Sequence, residues 1–98
     1  MSFQEHITRD RRLVILRLLR QAPGYSANDS LIDHGLGHLG HHVSRDVVRG
    51  DLSWLEEPGL VATSPAGPVV VAKLTIRGED VATGEATHPG VKRPGPGD

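Results

Sequence analysis

The stretch VSRDVVRGDLSWLEEPGL, residues 43–60, carries the strongest helical signal in the chain. Ser44 is a favourable N-cap, and Asp46 suits the positive end of the helix dipole in the first turn. Three apolar residues at helical spacing form one face: Val48, Leu52 and Leu55. A Pro-Gly pair then stops the helix. The pattern predicts a helix over residues 44–57 with one buried face.

The composition sets limits on what a helix of this kind can do. The chain has 98 residues, enough for one domain, and its net charge is −1 with histidine neutral. Such a balance is not typical of a protein that coats nucleic acid through bulk charge, so any DNA contact must come from local clustering. The absence of cysteine excludes disulfides and thiolate-ligated metals.

The sequence indicates neither secretion nor catalysis. Its first residues, MSFQEHITRDRR, do not form a signal peptide, and the apolar runs are far shorter than a membrane span. No glycine-rich phosphate loop, cysteine nucleophile or G-x-S-x-G motif is present. We therefore expect a cytoplasmic protein that has no contact with a membrane, is not an enzyme and uses no cofactor.

Two helices are predicted upstream of residues 43–60. The first covers FQEHITRDRRLVILRLLRQ and ends before a Pro-Gly pair, with Phe3 and Ile7 on its apolar face. The second follows Ser26, which forms a capping-box pattern with Asp29. Glycines weaken this second helix, and we expect it to fray toward Gly40.

Downstream the apolar period changes from helix to strand. Residues 60–63 and 69–74 are short Val-rich runs, and the SPAGP segment between them is too long for a two-residue turn, so it predicts a hairpin with a loose tip. A short closing helix should begin after Thr75 and end at Gly84. The Pro/Gly-rich segment 87–98 is expected to be a disordered tail after a domain of residues 1–86.

The order of helix, helix, helix, hairpin and short helix predicts an α+β fold of the winged helix-turn-helix type. The third helix then occupies the recognition position, and the hairpin forms the wing. In this arrangement the third helix is expected to contact DNA as well as to pack in the core.

The third helix also resembles the second helix-turn-helix element of DeoR-type winged-helix repressors. The matching residues are Val43, Ser44, Arg49, Asp51, Leu52, Leu55, Glu56, Glu57, Gly59 and Leu60. The whole chain, including APGYSANDSLI and LTIRGEDVATG, is similar to a group of small proteins encoded by Mu-like transposable phages. The resemblance implies a phage transcriptional regulator or accessory factor that acts in the bacterial host cell, bound to double-stranded DNA.

Six residues are the predicted DNA contacts. A helix N-terminus favours an anion, and an arginine can hold a phosphate or a guanine edge. A histidine just before the helix would contact phosphate when protonated, strengthening binding below about pH 6.5. The hairpin adds a basic residue on the wing. The set is Ser44, Arg45, Arg49, Ser53, Lys73 and His42.

Alternative interpretations of the same residues remain open. The two arginines could instead pair with Asp46, Glu56 or other nearby acids, and Asp51 could bond an arginine of the first helix. Trp54 is most simply a residue at the core edge. Proteins with this motif usually bind as dimers, and the apolar first helix and the hairpin are candidate surfaces for a homodimer. The alternative function is a winged-helix protein-interaction module without DNA binding.

A group of three histidines has a spacing that could indicate a metal site. His34, His38 and His41 would share a helix face with a spacing that zinc could use. Glycines interrupt that stretch, and the Glu-beside-His arrangement of hydrolytic sites is lacking. We therefore predict no metal ligands.

Overall fold

The chain folds into helices packed on a small sheet, an α+β architecture. The computed structural model describes residues 1–96, and within them there are four α-helices and a three-stranded antiparallel sheet with the strand order β1-β3-β2. The elements are α1 (Phe3–Gln21), β1 (Ser26–Asn28), α2 (Asp29–His38), α3 (Arg45–Glu56), β2 (Val61–Ala66), β3 (Val69–Leu74) and α4 (Ile76–Thr83). A single 3₁₀ turn, Pro23–Tyr25, joins α1 to β1.

The core lies where α1, α3 and the sheet meet. The predicted stripe of α3 is confirmed, since Val48, Leu52 and Leu55 are all at most 1% exposed. Four apolar residues in the second half of α1 are fully buried, namely Leu13, Ile15, Leu16 and Leu19, but Phe3 is 80% exposed because the first turn of α1 extends past the core. No helix within residues 1–96 has both the length and the apolar character needed to cross a membrane.

The start of α2 differs from the predicted capping box. Ser26 lies in β1 opposite Lys73, and the N-cap is Asn28, whose side chain accepts a hydrogen bond from Leu31 N at 2.9 Å. The helix ends at His38, and Gly40 has a φ of 92°, which a glycine adopts without strain. The predicted second helix is therefore present. Its N-cap lies two residues after the predicted Ser26, because the sequence did not indicate strand β1.

The hairpin is tighter than predicted. Strand β2 continues through Ser64 and Pro65, and Ala66 pairs with Val69 across a two-residue turn that begins at Gly67 with a φ of 62°. A glycine at the first position suits a type II′ hairpin turn. Pro65 is tolerated because β2 is an edge strand. The prediction of a loose hairpin tip is therefore wrong.

Helix α4 begins and ends as predicted and closely approaches the backbone of Leu60, the residue before β2. Thr75 caps it by accepting from Gly78 N at 3.0 Å, and Gly84 ends it with a φ of 88°. Gly78 is required by packing, because a Cβ atom there would lie 2.0 Å from the carbonyl oxygen of Leu60.

The segment after α4, which the sequence predicts to be a disordered tail over residues 87–98, contacts the rest of the domain in the structure. Val91 is 2% exposed within the core, and Lys92 N donates to Arg9 O at 3.1 Å. One apolar anchor and one backbone hydrogen bond therefore connect this Pro/Gly-rich segment to the core and to α1. Residues 97–98 of the predicted tail lie outside the described residues.

Two glycine substitutions test this packing. Gly78→Ala should lower the free energy of unfolding by at least about 2 kcal/mol, because the new Cβ meets backbone rather than a flexible side chain. Gly50→Ala is the matched control: Gly50 lies within α3 with nothing near the added methyl, and the change should raise stability by about 0.5–1 kcal/mol. Urea denaturation measures both, and equal effects would contradict the close approach of α4.

Candidate nucleic-acid interface

Five of the six predicted contact residues lie on the exposed N-terminal edge of α3 or just before it. Ser44 caps the helix, its hydroxyl accepting from Val47 N at 3.3 Å. The side chains of Arg45 and Arg49 are 43% and 42% exposed. Ser53 is exposed one turn further along α3, and His42 is exposed two residues before the cap. The structure therefore brings these residues to one end and edge of α3.

Both arginines are held by the carboxylate of Asp29, which the sequence indicated only as part of a helix cap. Asp29, the first residue of α2, is fully buried. Its Oδ1 accepts from Arg45 Nη2 at 3.2 Å, and its Oδ2 accepts from Arg49 Nε at 2.5 Å. The alternative that the arginines pair with acids is thus correct in kind, but the partner is Asp29 rather than Asp46 or Glu56.

The same carboxylate reaches the hairpin. Val70 N donates to Asp29 Oδ1 at 3.2 Å, and Arg49 Nη2 donates to the carbonyl oxygen of Pro68 at 2.8 Å. Pro68 is the second residue of the turn, and Val70 lies in β3. We call Asp29, Arg45, Arg49 and these two backbone groups the Asp29 cluster. It joins the start of α2, the exposed edge of α3 and the tip of the hairpin.

The charge of Asp29 is stabilised by its partners. Burial raises the pKa of this carboxyl group, but hydrogen bonds from Arg49, Val70 N and Arg45 lower it further than burial raises it. The resulting pKa is about 2, against an ordinary value of 3.8. Asp29 is therefore ionised throughout the neutral range, and the three side chains together carry one net positive charge, from two guanidinium groups and one carboxylate.

One acid next to this edge has a structural partner. Glu56 Oε2 accepts from Thr63 N at 2.8 Å and Oε1 accepts from Thr63 Oγ1 at 2.7 Å. These two bonds lower the pKa of Glu56, and they connect the end of α3 to β2. Asp46 and Glu57 are exposed on α3 and its C-cap. The acids of α3 are therefore not all free surface charge.

Lys73 does not join the other predicted contacts. It is exposed, but it pairs with Ser26 and Ala62 near the end of β3 that is remote from the turn. Because the Asp29 cluster contains the turn end of the hairpin, Lys73 lies away from the arginines. Lys73 thus lies in the predicted hairpin, in β3, but not at its turn, and its contact with DNA stays a prediction.

The opposite side of α3 is bound to α1 through a second buried carboxylate. Asp51 accepts from Arg11 Nε at 2.5 Å and from Arg12 Nε at 3.3 Å, as the alternative interpretation of Asp51 expected. Arg12 also stacks on Trp54, with its Cζ 3.7 Å from the ring centroid, and donates to Gly90 O at 3.2 Å. Trp54 is half-buried at the core edge. These contacts fix the position of α3 on α1.

The three histidines considered as zinc ligands do not converge. Nε2 of His38 lies 3.1 Å from Nε2 of His34, whereas His41 turns to α1 and contacts Asp10 Oδ2 through Nε2 at 2.7 Å. The helix ends at His38, so His41 leaves the shared face. Over residues 1–96, no group of three or more His, Cys, Asp or Glu side chains is arranged to hold a metal ion.

The acid dependence of stability tests the Asp29 cluster. A carboxyl group whose pKa is lowered on folding stabilises the protein above its unfolded pKa, and that stabilisation is lost as pH falls toward the folded value. The pKa of Asp29 predicts a loss on the order of 1–2 kcal/mol between about pH 4 and pH 2, allowing for the half-exposed arginines.

Asp29→Asn should remove this part of the acid dependence, measured as the urea midpoint at pH 4, 3 and 2. Asp46→Asn is the control, because it removes an exposed carboxylate of α3 outside the cluster. An acid profile of Asp29→Asn that matched both wild type and the control would contradict the assigned pKa.

Comparison with known proteins shows that the chain is similar to a protein of phage Mu and to a protein of Haemophilus influenzae. No protein-family model matches it. It is 50% identical over 90 residues to a protein of Escherichia phage Mu described as uncharacterized protein gp26, covering 92% of this chain and 93% of that protein. An uncharacterized protein of Haemophilus influenzae is 61% identical over 61 residues, or 62% of this chain, and the match spans 59% of that relative. By its near full-length similarity, the chain belongs to the family of phage Mu gp26.

Proposed function

We propose that this protein is a winged helix-turn-helix protein that binds double-stranded DNA with α3. The exposed edge of α3 would enter the major groove, and the turn of the β2-β3 hairpin would act as the wing. The order of elements supports this, because α2 and α3 precede the hairpin and β1 pairs with β3. Membership of a phage protein family agrees with a role as a transcriptional regulator or accessory factor.

The observation that carries the proposal is the pair of half-exposed guanidinium groups at the start of α3. Arg45 and Arg49 are each held on one side by Asp29, and more than 40% of each side chain stays accessible. Within residues 1–96, Nη1 of Arg49 takes part in none of the bonds of the cluster, so it can donate to a phosphate or a base edge. The capped N-terminus of α3 adds backbone N–H groups that favour an anion.

The charge around this edge predicts the kind of binding. Two arginines and one buried carboxylate leave one positive charge in the Asp29 cluster, and Glu56 is engaged with Thr63. The whole chain has a net charge of −1. Binding should therefore depend on a few oriented contacts, with little help from long-range attraction. Use of two half-sites by a homodimer would increase the affinity without further charge.

A second candidate is a winged-helix protein-interaction module, and the exposed apolar side chains favour it. Ile76, Phe3 and Leu31 are 85%, 80% and 62% exposed, and they lie on three different helices. Scattered apolar residues of this kind are common on protein surfaces, whereas a binding site usually presents them as one patch. The arginine edge is the more specific of the two features, so we place DNA binding first.

A titration against duplex DNA at several salt concentrations tests the proposal. We expect log affinity to fall linearly with log salt, with a slope of about −0.9 for each phosphate contact. Arg45→Ala should weaken binding several-fold and reduce the slope by about one contact. The control is Arg77→Ala, which removes an exposed arginine from α4 and should leave the slope unchanged.

Two outcomes would contradict the proposal. One is the absence of binding at low salt with tens of micromolar protein, where non-specific contacts are ordinarily detected. The other is an equal loss for Arg45→Ala and Arg77→Ala, which would mean that charge, and not the edge of α3, determines binding. The first outcome would favour the interaction module.

A further inference from the structure

We infer that Asp29 is a positioning residue for DNA binding: despite its negative charge, its carboxylate increases the affinity for DNA by fixing Arg45, Arg49 and the hairpin turn as one rigid surface. This inference rests on the proposed function and deepens it. It concerns a residue that would not itself touch DNA, because Asp29 is fully buried beneath the arginines that it holds.

The geometry of the cluster supports a shared anchor. The carboxylate bonds two side chains of α3 and one backbone N–H of β3, and Arg49 extends the connection to the carbonyl oxygen of Pro68 in the turn. Displacement of the hairpin tip relative to α3 would break at least one of these bonds. The side chain of Asp29 thus fixes the positions of α3 and of the hairpin turn relative to each other, and with them the DNA contacts that each would make.

The bonds to Asp29 reduce the conformational entropy that the arginine side chains lose when they bind DNA. A free arginine has many rotamers, and ordering it against a phosphate has an entropic cost. Arg49, bonded through Nε and Nη2, is already ordered in the folded protein and still presents Nη1. The opposing effect is the Coulomb repulsion between a carboxylate and DNA. Here that repulsion is small, since two guanidinium groups surround the carboxylate.

Positioning of the arginines and repulsion of DNA predict opposite changes of DNA affinity when Asp29 loses its charge, which makes the inference testable. Asp29→Asn keeps the shape of the side chain but removes the charge-assisted bonds to the arginines. If repulsion dominates, the variant gains affinity. If positioning dominates, it loses affinity although its net charge becomes more positive. A residue that only stabilises the fold would leave the affinity of the folded protein unchanged.

The experiment compares Asp29→Asn with Asp46→Asn in fluorescence-anisotropy titrations against the same duplex, at matched salt and well below the melting temperature of each variant. Asp46 is an exposed acid in the first turn of α3, so Asp46→Asn makes the same change of charge in the same region without disturbing the cluster. We expect Asp46→Asn to bind more tightly than wild type and Asp29→Asn to bind at least fivefold more weakly, with a shallower salt dependence. Tighter or unchanged binding by folded Asp29→Asn would overturn the inference.

A second variant covers the case in which Asp29→Asn does not fold. Arg49→Lys retains the positive charge and can still pair with Asp29, but an ammonium group cannot bond Asp29 and Pro68 and also present a second nitrogen in a fixed plane. Its affinity should fall several-fold, whereas Arg77→Lys should bind as wild type does. Full affinity of Arg49→Lys would overturn the inference.

The two proposals fail in different ways in this experiment. If wild type shows no DNA binding at low salt, the proposed function fails and the inference fails with it. If wild type and Asp46→Asn bind DNA but Asp29→Asn or Arg49→Lys binds equally well, DNA binding stands and only the positioning role of Asp29 is refuted.

Discussion

The buried carboxylate of Asp29 is the interaction on which the arrangement of the exposed surface depends. It lies at the one place where the start of α2, the edge of α3 and the tip of the hairpin meet, and it bonds groups from all three. A buried charge is tolerated when it is paired and hydrogen-bonded, and removal of one partner leaves an uncompensated group. The hairpin is therefore held to α3 by polar contacts that have to be present together.

Two buried carboxylates hold helix α3, one from its own Asp51 and one from Asp29 of α2. On one side Asp51 bonds Arg11 and Arg12 of α1, and on the other side Asp29 bonds the arginines of α3 itself. Between them the apolar stripe of α3 packs into the core. The stripe supplies the burial, while the two polar clusters fix the rotation and the end of the helix. This division explains how a chain with few aromatic residues orients a helix of only 12 residues.

Local chemistry made the helices predictable from the sequence. Ser44 and Thr75 are side-chain caps, and Gly84 and the Pro-Gly pair after α1 are stop signals that act within a few residues, so the bounds of α1, α3 and α4 agree closely with expectation. Strand β1 was missed because its three residues form a strand only by pairing with β3, which is far away in sequence. The contacts of the segment after α4 could not be predicted for a similar reason, since Val91 is buried by residues distant in the chain.

The candidate site was predicted in part. Arg45, Arg49 and Ser44 were identified from their place in the third helix and from a resemblance, and the structure puts them on one exposed edge. Asp29 was interpreted only as part of a helix cap, because a carboxylate in the first turn of a helix is ordinary and no local pattern reveals its burial. Lys73 lies in the hairpin as predicted, but its distance from the turn was not predicted, because the length of the turn could not be derived from a Pro/Gly-rich segment.

The central claim is that α3 and the hairpin turn form one DNA-binding surface. The most direct measurement is the mapping of backbone amide shifts in ¹⁵N-labelled protein during titration with duplex DNA. The account predicts that the shifts concentrate at residues 42–53 and 66–70 and saturate together, while α4 is unaffected. Shifts spread evenly over the charged surface, or confined to α1 and α4, would contradict it.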